Sequence, residues 1–172
     1  MTSAKYSSLA CLDLRTYLWQ QLQSAGLMDI NNYYADGFDQ PIIPIIPSQQ
    51  IPEMNNSLPG LPYIVYDYQV MPIQTDWWII HEVFQLMTVS PNHNEINMIN
   101  NFIVDLFRRY DDSAKDVFNA GSQIISDNFD FKYTSVHDVY SPTPFKNEGG
   151  LMVGHVDIIY CYVRKLDSLG RF

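Results

Sequence analysis

Hydrophobic positions along this chain recur with two periods, and the switch between them marks its elements. Over Ile96–Tyr110 the apolar residues Ile96, Ile99, Ile103, Leu106 and Tyr110 fall three or four apart, while Asn94, Asn97, Asn101, Asp105 and Arg108 take the other side. That spacing predicts an amphipathic helix. Its start is written in Ser90-Pro-Asn-His-Asn-Glu95. Ser90 can cap it, Pro91 suits the first helical position, and Asn92 with Glu95 has the spacing of a capping box. Upstream, over Trp78–Val89, His81, Val83, Gln85 and Met87 alternate with Glu82, Phe84, Leu86 and Thr88. A period of two over that length predicts a long strand. Leu61–Met71 alternates in the same way, and the turn at Pro72–Asp76 makes the pair an antiparallel hairpin.

The flanks extend this unit. From Ser7 to Gly26 the residues Cys11, Leu14, Leu18, Leu22 and Ala25 share a helical face that Leu12 and Trp19 widen, with Ser8 as its cap and Gly26 as its stop. Asp111–Gly121 predicts a shorter helix with Ala114, Val117 and Phe118 inward. Phe129–Asp138 predicts a strand with Phe129, Phe131 and Tyr133 on one face, Ser141–Gly150 a turn-rich connection, and Leu151–Lys165 a final long strand. Helices and strands do not alternate strictly, as a parallel sheet would require. The expected class is α+β: a mostly antiparallel sheet, with an N-terminal helix and a central amphipathic helix packed on it, in a single domain over 1–172.

One stretch breaks the pattern. Between Asn31 and Pro62 lie six prolines, including the repeat Pro41-Ile-Ile-Pro44-Ile-Ile-Pro47. Prolines at every third position favour an extended path and cannot serve a central strand. The segment at about 36–60 is therefore read as an extended Pro/Ile-rich arm packed on a neighbouring chain, or as a loop folded over its own domain.

Composition sharpens the picture. Hydrophobic residues make up 47% and charged residues only 17%, with 12 tyrosines, which favours an assembly component over a lone monomer. The net charge of −9 argues against a protein that grips nucleic acid through a basic footprint. Cys11 and Cys161 form no zinc pattern and no disulfide framework, and read as small buried hydrophobes. The N-terminus lacks the apolar run of a signal peptide, and no stretch has the roughly 18 apolar residues of a membrane span. A reducing cytosol is the expected place of synthesis, with no membrane partner.

Candidate chemistry is sparse. His81, His137 and His155 fall on predicted strands, His155 shares a strand face with Asp157, and His93 opens the central helix. No metal-binding spacing fixes these residues, so no metal is assigned. Asp130-Phe-Lys132 has the spacing of half a metal-dependent nuclease site, but strand alternation already accounts for it as an exposed face. No nucleophile elbow, dinucleotide fingerprint or phosphate-cradling loop is present in the sequence. No catalytic residue and no cofactor are expected.

The order of the strand Leu61-Pro-Tyr-Ile-Val-Tyr66, the strand ending Glu82-Val-Phe-Gln-Leu-Met-Thr-Val89, the polar cap and helix of Ile96–Tyr110, and the closing strand Val156–Arg164 resembles the tail terminator, or tail completion, proteins of long-tailed bacteriophages. The resemblance covers residues 9–27 and 61–165 and rests on pattern; the Pro/Ile arm departs from a minimal version of the family. It implies a non-enzymatic virion protein assembled in the host cytoplasm as a homomeric ring, usually a hexamer. Its implied partners are the tail tube protein and the neck or connector proteins at the tail–neck junction, with DNA passing through the lumen without specific binding. Exposed-looking aromatics and the arm supply the expected contact residues: Ile42, Ile43, Ile45, Ile46, Ile51, Trp77, Tyr140 and Phe145. Removal of residues 41–52 is expected to weaken assembly. A neck or head–tail connector protein is the alternative within the virion. A small metal-dependent hydrolase using His81, His137, His155 or Asp157 is the alternative of another class.

Overall fold

Strand pairing sets the frame of the molecule. The computed structural model describes residues 9–33, 41–50, 60–71, 79–108, 123–144 and 149–165. Five strands, β1 (Ile45–Pro47), β2 (Tyr63–Val70), β3 (Ile79–Ser90), β4 (Phe129–Pro144) and β5 (Met152–Arg164), form one sheet in the order β1-β2-β3-β5-β4. The hairpin of β2 and β3 pairs antiparallel, Tyr63 opposite Val89 and Val70 opposite Glu82. The pairs β3·β5 and β4·β5 are antiparallel too, but β1 runs parallel to β2. The sheet is therefore mixed, and only the short β1 edge departs from the antiparallel pattern. The class is α+β.

That edge is the Pro/Ile repeat. An edge strand needs hydrogen bonds on one side only, so proline is tolerated there. Pro44 supplies its carbonyl to the Ile64 N–H at 2.8 Å, and Ile45 and Ile46 turn inward, fully buried. Over 41–50 the segment takes the second of its two expected paths, folded onto its own chain.

Helix α1 (Ala10–Ser24) buries Cys11, Leu14, Leu18, Trp19 and Leu22, whereas Leu12 stays largely exposed and does not widen the stripe. Leu9, not Ser8, is the N-cap, and it makes no side-chain cap bond. The C-terminal end closes as expected at Gly26. There φ is +68°, the Gly26 N–H reaches Gln23 O at 2.9 Å, and the Leu27 N–H reaches Leu22 O at 3.1 Å. This is the double closure in which glycine accepts the left-handed conformation without steric cost.

Helix α2 (His93–Phe107) starts at Asn92, whose side chain accepts the Asn94 N–H at 3.0 Å. Ser90 is instead the last residue of β3. Its hydroxyl accepts the Asn92 N–H at 3.0 Å and donates to Glu95 at 2.5 Å. Glu95 thus reaches back through Ser90 rather than to the cap residue itself, and Pro91 precedes the helix. The helix buries Ile96, Ile99, Ile103 and Phe107 against the sheet. It comes so close that a Cβ on Gly154 would meet Ile96 at 2.5 Å and Asn100 at 2.6 Å. Asn100 itself is buried on this apolar face and accepts a 2.8 Å bond from Thr88.

Strand β4 runs beyond the expected end at Asp138 to Pro144, through the stretch read as a turn. Three bulges, at Phe131/Tyr133, Val136/Asp138 and Tyr140/Thr143, absorb the extra residues. As an edge strand it accommodates Pro142 and Pro144. The expected short helix over 111–121 lies outside the described residues. No described helix is long and apolar enough to cross a membrane.

Candidate functional site

Alternation along the strands gives the sheet two unlike sides. One side packs under both helices: Ile64, Tyr66, Phe84, Leu86, Val156, Ile158 and Tyr160 join Leu14, Leu18, Leu22, Ile99, Ile103 and Phe107 in the main core. The intervening residues face away from them. Across β3 and β5 these fall in register as His81 with Cys161, Val83 with Ile159, Gln85 with Asp157, and Met87 with His155. At one end Tyr63, Val65, Val89 and Val153 form a small second cluster with Met87 and Leu151. Val83, Met87, Ile159 and Val163 are only half-buried. This apolar side, uncovered by either described helix, is the candidate functional surface.

A polar patch interrupts it. The bulge at His137 swings Asp138 directly opposite Asp157 on β5. His137 Nε2 stands 3.3 Å from Asp138 Oδ2, and the His155 ring meets Tyr140 edge-on at 6.1 Å between centroids. Burial pushes the Asp157 carboxyl above its ordinary range. A hydrogen bond from Gln85 pulls it back, the Asp138 charge pushes it up again, and His155 and His137 oppose that push.

The histidines do not converge. His81 pairs with Cys161 and His155 with Met87, six positions apart on the ladder, or about 20 Å at strand rise. His81 binds the Tyr133 hydroxyl through Nε2 at 2.9 Å, and its buried Nδ1 has no partner among the described residues. His93 lies on α2, where Nδ1 meets the Asn97 amide at 3.0 Å. No group of three or more histidine, cysteine, aspartate or glutamate side chains among the described residues is placed to hold a metal ion. Asp130 and Lys132 pair with each other on exposed positions at the start of β4, between the buried Phe129 and Phe131.

A second polar group is closed off beneath α1. Glu82 is 6% exposed, and its carboxylate accepts hydrogen bonds from the hydroxyls of Tyr160 and Tyr162, the latter at 2.9 Å. The two tyrosine rings stack, 5.9 Å between centroids and 18° between planes. Burial first, and then the Glu82 charge, drive both phenols far above their ordinary pKa. The nearby Cys11 thiol is pushed up to about 12 by burial and by Glu82, so it is a thiol rather than a nucleophilic thiolate. Cys11 and Cys161 are both free and buried, on opposite sides of the sheet. An open cleft of about 210 Å³ lies at the start of α1, lined by Leu9, Cys11, Pro47, Ser48, Asp67 and Tyr68; its cysteine is the protonated thiol just described.

The expected contact residues separate into distinct environments. Ile45 and Ile46 are buried in their own chain and offer no side-chain surface to a partner, which corrects their assignment as contacts. Deleting residues 41–52 would remove part of the core, so it would test folding before assembly. Ile42 and Ile43 are half-buried, Tyr140 is exposed, and Ile51, Trp77 and Phe145 lie outside the described residues. Sequence reasoning missed Glu82, although its alternation with Phe84 and Leu86 already placed it on the core side. It also missed the Asp138–Asp157 pairing, because the bulge that creates it leaves no mark in periodicity. No protein-family model and no curated protein matches this chain.

Proposed function

We propose that this protein is a structural virion component, a tail terminator of a long-tailed bacteriophage that assembles from identical copies into a ring. In this reading the ring closes the tail tube, joins the tail to the neck, and lets DNA pass through its lumen. The observation that carries the reading is the one-sided sheet: both described helices pack on one face and leave Val83, Met87, Ile159 and Val163 half-buried on the other. An apolar, aromatic-bordered surface of this kind suits contact with another protein. The net charge of −9 suits a lumen that must not retain DNA. A ring is the closed form of a head-to-tail contact between copies. No residue is given a catalytic role and no cofactor is invoked.

The test is the mass of the purified protein over a range of concentrations, alongside its binding to tail tubes. A discrete species near six copies is expected. Ile159→Lys, at a half-buried surface position, should abolish it while leaving the circular dichroism spectrum of the folded chain. A protein that stays monomeric at every concentration and ignores tail tubes refutes the reading. Binding to the portal side instead of the tube would move the protein to the neck.

A further inference from the structure

The side of the sheet turned away from both described helices carries a row of carboxylates. Asp67 on β2 lies opposite Gln85 on β3, Gln85 opposite Asp157 on β5, and Asp157 opposite Asp138 on β4. Three acids therefore share one line across four strands, about 14 Å long at the ordinary strand spacing. Val65, Met87 and His155 flank the row on one side, and Val83 and Ile159 on the other. No lysine or arginine pairs with any of the three acids among the described residues. Two such faces laid together stand about 10 Å apart, close to the Debye length of about 8 Å at physiological salt. Pairing them through their apolar rows would bring acid near acid and bury carboxylates without a cation, which carries a desolvation cost. The face is a poor partner for itself.

The other side of the molecule offers a complement. Helix α2 turns Ile96, Ile99, Ile103 and Phe107 inward, and Asn94, Met98, Asn101, Asp105 and Arg108 form an exposed stripe at spacings of three and four. Met98 is 59% exposed, more than any other large hydrophobic side chain of either described helix. Asp105 and Arg108 leave the stripe without net charge, against three negative charges on the row. Arg108 is also the uncommitted cation among the described residues. Arg15 donates to Ile45 O, Lys132 pairs with Asp130, Arg164 lies over the Phe129 ring, and Lys165 donates to Ser126 O. Arg108 makes no ion pair among the described residues. We propose that a second copy of this chain seats its α2 stripe on the uncovered face, with Met98 on the apolar rows and the Arg108 guanidinium on the acidic row. Met98 and Arg108 stand about 15 Å apart along the helix, and the face runs about 20 Å from His81 to Met87, so one copy spans both. The two surfaces lie on opposite sides of one chain, so the contact is head-to-tail and repeats from copy to copy, as a ring requires. This rests on the ring reading and names the surface that fills the face.

Native mass spectrometry of the full chain over a range of concentrations tests it. The unmodified chain should form a discrete ring-sized species. Met98→Asp and Arg108→Gln should each raise the concentration of half-assembly about tenfold, the loss expected for a central anchor or an ion-pair partner. In an Asp138→Asn/Asp157→Asn background Arg108→Gln should cost clearly less, because its partner charges are gone. Mixing Met98→Asp with Ile159→Lys should give a one-to-one pair and nothing larger, since each variant supplies the surface that the other lacks. All these positions are exposed or half-buried, so every variant should keep the circular dichroism of the folded chain. Rings that tolerate both Met98→Asp and Arg108→Gln would overturn this contact and leave the ring reading standing. An assembly that stops at two copies would mean face-to-face pairing and overturn it as well. An unmodified chain that never assembles removes the contact and the ring reading together.

Discussion

Removing the Tyr160 hydroxyl is the sharpest probe of how the sheet carries a buried carboxylate. Tyr160 is fully buried, and its ring contacts Phe84, Phe131 and Tyr162 at centroid distances of 6.4, 6.2 and 5.9 Å. Phenylalanine keeps those contacts and deletes one oxygen. What is lost is a hydrogen bond to Glu82, which retains only the Tyr162 hydroxyl at 2.9 Å and has no cation paired with it among the described residues. A bond to a charged group contributes about 1.5–3 kcal/mol, and the orphaned oxygen cannot recover it from water in a closed site. At about 2–4 °C per kcal/mol for a chain of this size, Tyr160→Phe should melt about 3–12 °C lower. Thermal denaturation followed by circular dichroism measures this directly, with exposed Tyr140→Phe as the control that should scarcely move. Glu82→Leu combined with Tyr160→Phe and Tyr162→Phe should cost less than the sum of the single changes, because it removes both sides of the network together. A loss below about 0.5 kcal/mol for Tyr160→Phe would mean that the carboxylate has another partner and that the closed network described here is wrong.

Two further outcomes follow from the same core. Ile46→Ala should destabilise the chain by about 2–5 kcal/mol in chemical denaturation, since its side chain on β1 is buried within its own chain rather than held for a partner; a change near zero would return the Pro/Ile segment to the surface. Tyr160 and Tyr162 bind their protons more tightly folded than unfolded, so the stability they contribute is present below the unfolded tyrosine range near pH 10 and is lost as pH rises beyond it. Urea midpoints measured from pH 8 to pH 11 should therefore fall above pH 10, and less steeply in the double phenylalanine variant; equal slopes would refute the coupling.

Much of this fold is legible in the chain because local pattern and tertiary packing agree. The three-and-four spacing of Ile96, Ile99, Ile103 and the alternation of β2, β3 and β5 each survive packing, since each buries one face. The departures have physical causes. Asn100 disrupts the apolar stripe of α2 yet is buried, because Thr88 lies opposite to satisfy it at 2.8 Å. The Pro/Ile repeat looks like an arm by composition, but a strand at the edge needs partners on one side only, and Ile45 and Ile46 find theirs in the core. Pro142 and Pro144 look like a turn for the same reason. The candidate surface is less legible than the fold: Asp138 meets Asp157 only because His137 is the extra residue of a bulge, and register of that kind is a property of two strands together.

The edges of the sheet bear on how copies could join. On one side the free N–H of Tyr68, beyond the end of β1, is taken by the Asp67 carboxylate at 2.9 Å, and Ser48 donates to that carboxylate at 3.2 Å. β1 itself is flanked by Pro44 and closed by Pro47. On the other side β4 carries three bulges, the Asp130–Lys132 pair and two prolines. Bulges, charges and prolines are the devices that keep an edge from accepting a further strand. A ring built by extending the sheet from copy to copy would have to overcome all of them. Under the proposed function, contact through the face that neither described helix covers requires none of that, which is why Ile159→Lys rather than a change at either edge is the substitution expected to abolish assembly.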